Sequence, residues 1–181
     1  MLGSALAPER LGPLAPHWAC PQLPPSPAQA AEDIRVLIAD WPRETMAVVG
    51  SSLGGFYATW VAELTGCSAV VINPAVAPHR DLARHIGEQS HFHDPEASFF
   101  FQPAFIDELL RLRPYPITRP ERYHALICTG DEVLDWREMQ AHYLGAHVKI
   151  IEGSDHAVSD FDQYLPTVRQ WLGLMPPTGH A

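Results

Sequence analysis

Val48-Val49-Gly50-Ser51-Ser52-Leu53-Gly54-Gly55 sets a G-x-S-x-G pattern between a short β-branched run and a stretch with helical spacing. A nucleophile elbow demands that context: a strand turns sharply into a helix and leaves the central serine oxygen exposed. The turn crowds its neighbours, so glycine at 50 and 54 is expected to leave room while Ser52 is held in a strained conformation. Ser52, not Ser51, occupies the central position. The helix that follows aims its positive end at the same point, so the backbone N–H of Leu53 is expected to stabilise an oxyanion forming there. Taken alone, the pattern also describes a glycine-rich turn closing a strand. A phosphate-cradling loop would need GK[ST], which is absent.

The alternation of short apolar runs and helical patterns extends in both directions. Thr45 to Val49 reads as a strand and Leu53 to Leu64 as a helix. Strands follow at Ser68 to Ile72, Tyr123 to Thr129 and His147 to Ile151, with helices near Asp135 to Leu144 and from about Asp160 to Trp171. Upstream, Ser26 is the expected N-cap of a helix with Pro27 in its first turn. Ala31, Ile34, Leu37, Ile38 and Trp41 recur there at helical spacing. His17 to Cys20 reads as the end of a strand running into the proline-rich turn PQLPPSP, preceded by a short amphipathic opening. The tail after Leu174 reads as a frayed end.

Apolar strands alternating with helices imply an α/β fold, a mostly parallel sheet covered by helices on both faces. A long insert between Pro74 and Pro120 carries HFHDP, FFFQP and a helical stripe at Phe101, Phe105, Leu109 and Leu112. It is expected to form a small cap over the sheet's carboxyl edge, at about 75–120, within one domain spanning 1–181.

A serine alcohol is a poor nucleophile at neutral pH and requires a base, itself oriented by a carboxylate. In this architecture the acid and then the histidine follow the serine along the chain. Asp131 stands just beyond the apolar run YHALICT, and His156 stands beyond HVKII. Both therefore fall at carboxyl ends of expected strands, where an open parallel sheet collects its site, and one helix and one strand lie between them. Asp131 could instead be a turn carboxylate and His156 a solvent-facing loop imidazole. Asp135 is the rival acid, but it stands where the next helix needs its N-cap. Asp155 is expected to point away from the ring.

Composition narrows the alternatives. Twelve basic against twenty-one acidic residues give a net charge of −9, with no basic stripe to track phosphates, so nucleic acid is not an expected partner. No apolar run approaches the roughly 20 residues that cross a bilayer, and Glu9 and Arg10 stand where a signal peptide would be apolar, so a cytoplasmic protein is expected. Cys20, Cys67 and Cys128 are odd in number and far apart, and are read as buried free thiols. His91, His93 and Asp94 could approach a metal but lack the partners of a complete ligand set. No metal, nucleotide or other cofactor is expected, G-x-G-x-x-G being absent.

In order along the chain, PQLPPSP, VVGSSLGGFYATWVAE, VVINPAVAP, TGDEVLDWRE and IIEGSDHAVSDF resemble the YqiA/YcfP family of small α/β-hydrolase esterases. The resemblance runs from about His17 to Leu174. It implies the same nucleophile, acid and base, Ser52, Asp131 and His156, and adds activity toward acyl esters and acyl-CoA thioesters. Similar proteins open with a strand and a loop of the type YLHGF-x-SS whose backbone supplies a second oxyanion donor, and this sequence begins downstream of it. Either the protein is longer, or the chain is a relative that keeps the triad by descent.

Three functional expectations follow. The first is hydrolysis of a carboxylic ester or thioester through an acyl-enzyme on Ser52. The second is a catalytically impaired binding protein on a hydrolase scaffold. The third is acyl transfer to an alcohol or amine in place of water.

Overall fold

The computed structural model describes residues 16–91 and 94–174. Helix α1 (Pro27–Leu37) begins where the sequence requires: Ser26 is its N-cap and accepts from the Gln29 N–H at 3.2 Å. Strand β1 (Ala47–Ser51) leads directly into α2 (Leu53–Thr65), which ends at Gly66 in the left-handed conformation, φ 83°. Strand β2 (Ser68–Ile72) follows. The insert holds a one-turn helix α3 (Pro78–Asp81), a hairpin β3 (Gly87–His91) and β4 (Asp94–Phe101), and α4 (Pro103–Leu112). The chain then returns as β5 (Tyr123–Cys128), α5 (Trp136–His142), β6 (His147–Ile151) and α6 (Leu165–Trp171).

The main sheet runs β1-β2-β5-β6, every neighbouring pair parallel. Alternation along its strands sorts the core into two layers, because successive side chains point to opposite faces. Ala69, Val71, Tyr123, Ala125 and Ile127 pack in one layer with Ala30, Ile34, Phe56, Val61, Met139 and Tyr143 of the helices. Val70, Ile72, Leu126 and Cys128 face the other way, toward Ile151, Val158, Phe161 and Val168. Strand β5 is buried at all six positions, as a parallel strand covered on both faces must be. The fold is α/β-hydrolase-like.

Four expectations from sequence are corrected. His17 to Cys20 forms no strand: proline at 16 and 21 brackets it, and it pairs with no described strand. The last helix splits into a 3-10 turn (Phe161–Gln163) and α6, with Pro166 in the first turn of the second piece. Phe101 belongs not to a helical stripe but to β4, where it pairs with Gly87, while Phe105 and Leu109 are the buried face of α4. Cys20 is exposed, on the irregular segment before Pro21, whereas Cys67 and Cys128 are buried. All three are free thiols. The opening before Pro16, the tail beyond Leu174 and His93 lie outside the described residues, as do the side chains of His91 and Asp94.

Candidate active site

Ser52 sits between the end of β1 and the first turn of α2 with φ 54° and ψ −123°. A non-glycine residue reaches that region only under restraint, because Cβ crowds the backbone. The restraint is visible: the Ser52 N–H donates to Ile72 O at 3.0 Å, and Ser52 O accepts from the amides of Gly55 and Ala75, each at 2.9 Å. The tight approaches fall on Gly50 and Gly55. A Cβ on Gly50 would stand 2.0 Å from Gly54 O, and one on Gly55 would stand 2.7 Å from Pro74 Cβ. Gly54 has nothing within 4 Å of such an atom, which corrects the expectation that room is needed at 54.

The serine oxygen does not stand alone. His156 Nε2 lies 2.9 Å from Ser52 Oγ, and His156 Nδ1 lies 2.7 Å from Asp131 Oδ2. The carboxylate of Asp131 accepts a hydrogen bond from Nδ1–H, which leaves Nε2 as the acceptor for the serine hydroxyl. Asp131 Oδ1 accepts from the amides of Val133 and Leu134, both at 2.8 Å, so with His156 Nδ1 three hydrogen bonds fix the carboxylate's orientation. Its side chain is fully buried while the imidazole keeps 19% exposure, an acid shielded from water beside a base open to a reactant. Ser52 follows β1, Asp131 lies beyond the end of β5 and His156 beyond the end of β6, so all three gather at one edge of the parallel sheet.

The rivals are placed elsewhere. Asp135 is the N-cap of α5, accepting from the Arg137 N–H at 2.9 Å. Asp155 turns to Ser159, accepting from its amide at 2.8 Å and from its hydroxyl. Leu53 is the first residue of α2, so its N–H has no acceptor within the helix. Sequence reasoning missed Glu132, whose Oε2 accepts the His156 backbone N–H at 3.1 Å. It also missed Asn73, the residue after β2, whose side-chain amide donates to the backbone carbonyls of Asp155 and His156. Among the described residues no group of three or more His, Cys, Asp or Glu side chains could hold a metal.

Alongside β1, on the edge that pairs with no described strand, runs an apolar groove of about 940 Å³. Ile34, Ile38 and Trp41 form one side, Tyr57 and Val61 another, with Val48 and Gly50 along the strand. Ser52, Asp131 and His156 do not line it.

The family model described as "Uncharacterised protein family (UPF0227)" matches residues 14–173. Among solved structures, a protein from Agrobacterium vitis S4 superposes with a TM-score of 0.61 at 17% identity, covering 81% of this chain and 69% of its own. Alpha/beta hydrolase domain-containing protein 10 from mouse superposes at 0.57 with 18% identity, covering 82% and 70%. A monoacylglycerol lipase from Paleococcus ferrophilus superposes at 0.56 with 16% identity, covering 83% and 76%. At such identities the likeness is one of fold.

Proposed function

The chain belongs to the UPF0227 family, and from that premise we propose that it is a serine hydrolase that cleaves carboxylic esters or acyl thioesters through an acyl-enzyme on Ser52. One observation carries the reading: an unbroken hydrogen-bonded chain from Ser52 Oγ through the two ring nitrogens of His156 to Asp131. In the first step Ser52 Oγ attacks the acyl carbonyl and its proton passes to His156 Nε2. Asp131 holds the ring in the required tautomer and stabilises the imidazolium that forms. The Leu53 N–H and the positive end of α2 stabilise the tetrahedral oxyanion. His156 then gives its proton to the leaving alcohol or thiol, and water, activated by the same ring, releases the acid. Nothing in the triad itself selects water over an alcohol or amine as the second nucleophile, so acyl transfer belongs to the same chemistry.

Further features fit this reading. The Paleococcus ferrophilus neighbour is a lipase, which is consistent with an ester substrate. The described chain is read as one hydrolase unit in which the insert, anchored by buried Phe101, Phe105 and Leu109, caps the site. Free cysteines throughout the described residues fit a reducing, cytoplasmic setting. No helix among the described residues is long and apolar enough to cross a membrane. The deciding experiment combines a fluorophosphonate probe with a short-chain chromogenic ester. Labelling at Ser52, together with turnover lost in Ser52→Ala, supports the hydrolase; a folded chain with neither activity refutes it.

A second reading, a binding protein on this scaffold, is favoured by the groove along β1, which is large and apolar yet separate from the triad. Ligand or partner binding unchanged in Ser52→Ala, with no turnover by either form, would select it.

A further inference from the structure

We propose that Asn73 is the positioning residue of His156, and that the segment Ile72–Ala75 sets the distance between nucleophile and base; the inference rests on the serine-hydrolase reading above.

Asn73 stands immediately after β2 with no exposed surface and with φ 40°. Asparagine is among the few residues with a side chain that tolerate that region. Its own N–H continues the sheet by donating to Leu126 O at 2.9 Å. The side chain uses each of its polar atoms. Oδ1 accepts from the Cys128 N–H at 2.8 Å, and Nδ2 donates to Asp155 O at 3.1 Å and to His156 O at 2.9 Å. The partners fix which end of the amide is which: a backbone N–H requires the oxygen, and two carbonyls require the nitrogen.

The two carbonyls belong to consecutive peptide groups, one on each side of the His156 Cα. Holding both fixes the backbone torsions from which the imidazole is hung. The loop that carries His156 has no helix or strand of its own between Ile151 and Phe161. At His156 itself the other contacts are Glu132 at the backbone N–H and the ring's bonds with Asp131 and Ser52, while the rest of the loop is tied by Gly153 N–H to Thr129 Oγ1 at 3.0 Å and by Ser159 to Asp155. The neighbours of Asn73 grip the nucleophile at the same time: Ile72 O accepts the Ser52 N–H and the Ala75 N–H donates to Ser52 O. Ile72, Asn73 and Ala75, three residues of one four-residue segment, therefore hold the serine and the histidine from one side, and through them the segment sets the Ser52–His156 separation of 2.9 Å.

The charge of the side chain matters as much as its shape. Asn73→Asp has the same outline but offers a carboxylate oxygen where two carbonyl oxygens need a donor. Asn73→Ser leaves space and retains a hydroxyl that can serve one of the carbonyls. Both variants are made in the full chain, with circular dichroism and thermal unfolding recorded beside the parent. Misplacement of the base by about 1 Å should lower kcat by about 10²-fold in Asn73→Asp. Uniform binding is untouched, so KM should stay within about twofold of the parent. Asn73→Ser, the gentler change, should lie between the two. Partial unfolding would also lower apparent kcat at constant KM, so turnover is expressed per folded molecule, with the folded fraction taken from circular dichroism.

An activity-independent readout is the low-field proton resonance of the His156 Nδ1–H bonded to Asp131, followed in folded Asn73→Asp or, where that variant does not fold, in Asn73→Ser. The proposal expects the resonance to shift or broaden while the parent's is sharp. A folded variant that keeps the parent's resonance and the parent's kcat overturns it. Failure of the hydrolase reading looks different: the parent itself then neither labels with fluorophosphonate nor turns over ester, whatever the resonance does.

Discussion

His156 Nε2 and Ser52 Oγ lie 2.9 Å apart although 104 residues separate them along the chain. Hydrogen-bond contact between a strained serine and an imidazole held by a buried carboxylate is an arrangement with a chemical use.

Ser52→Ala should reduce ester turnover to the uncatalysed background, since loss of a triad serine costs about 10⁶-fold in kcat in an efficient enzyme. Ser52→Gly should be equally inactive but more stable than Ser52→Ala by about 1 kcal/mol, because glycine accepts φ 54° without strain. Denaturant titration of the two inactive variants separates the effects; equal midpoints would show that the elbow stores no strain.

Asp131→Asn should lower turnover by about 10⁴-fold, because the amide no longer selects the Nδ1–H tautomer. Asp135→Asn should leave turnover near that of the parent, since Asp135 caps α5 and asparagine caps a helix about as well. Steady-state kinetics of the two variants decide, and the reverse ranking would transfer the acid's role to Asp135.

Gly50→Ala should destabilise the fold by about 3 kcal/mol or more, because the added carbon would stand 2.0 Å from the rigid carbonyl of Gly54. Gly54→Ala should be tolerated, its methyl meeting nothing within 4 Å. Thermal unfolding of the pair checks the assignment, and equal losses would contradict the geometry of the turn.

His142, half-buried between Tyr115 and Tyr143, has its pKa pushed down to about 4 by burial and then by Arg113, against a smaller opposing pull from Glu63. The unfolded chain therefore binds this proton more readily than the folded one between about pH 6.5 and 4. The stability contributed by neutral His142 is complete above that window and is lost as pH falls through it. The slope is at most about 1.4 kcal/mol per pH unit, and less for a group with partial access to water. His142→Gln should flatten urea-unfolding free energies across this range; an unchanged slope would show that His142 takes up no proton on unfolding.

Strand limits at Ser68–Ile72 and His147–Ile151 could be read directly, because each is a short run rich in β-branched residues with turn-forming or polar neighbours. The order serine, acid, histidine at strand ends was legible for a related reason: a parallel sheet presents its carboxyl ends together. The β3–β4 hairpin was not. Three consecutive phenylalanines obscure the alternation of β4, although Phe100 is exposed and Phe101 is buried beside it. The need for glycine at 55 was equally hidden, since it arises from Pro74, which reaches the elbow only through the end of β2. Asn73 gave no signal because its partners at 155 and 156 are brought to it by the sheet and not by the chain.

The all-parallel sheet also governs when the site can exist. Pairing of β2 with β5 must wait until the entire insert has been made, and β6 comes later still. Contacts so distant in sequence form slowly, because the loops must close before the pairing rewards them. At a synthesis rate of about 5–20 residues per second, Ser52 precedes His156 from the ribosome by roughly 5–20 s. Throughout that interval the nascent chain carries Ser52 without His156, so their first contact is made only by a chain in which β6 has already arrived.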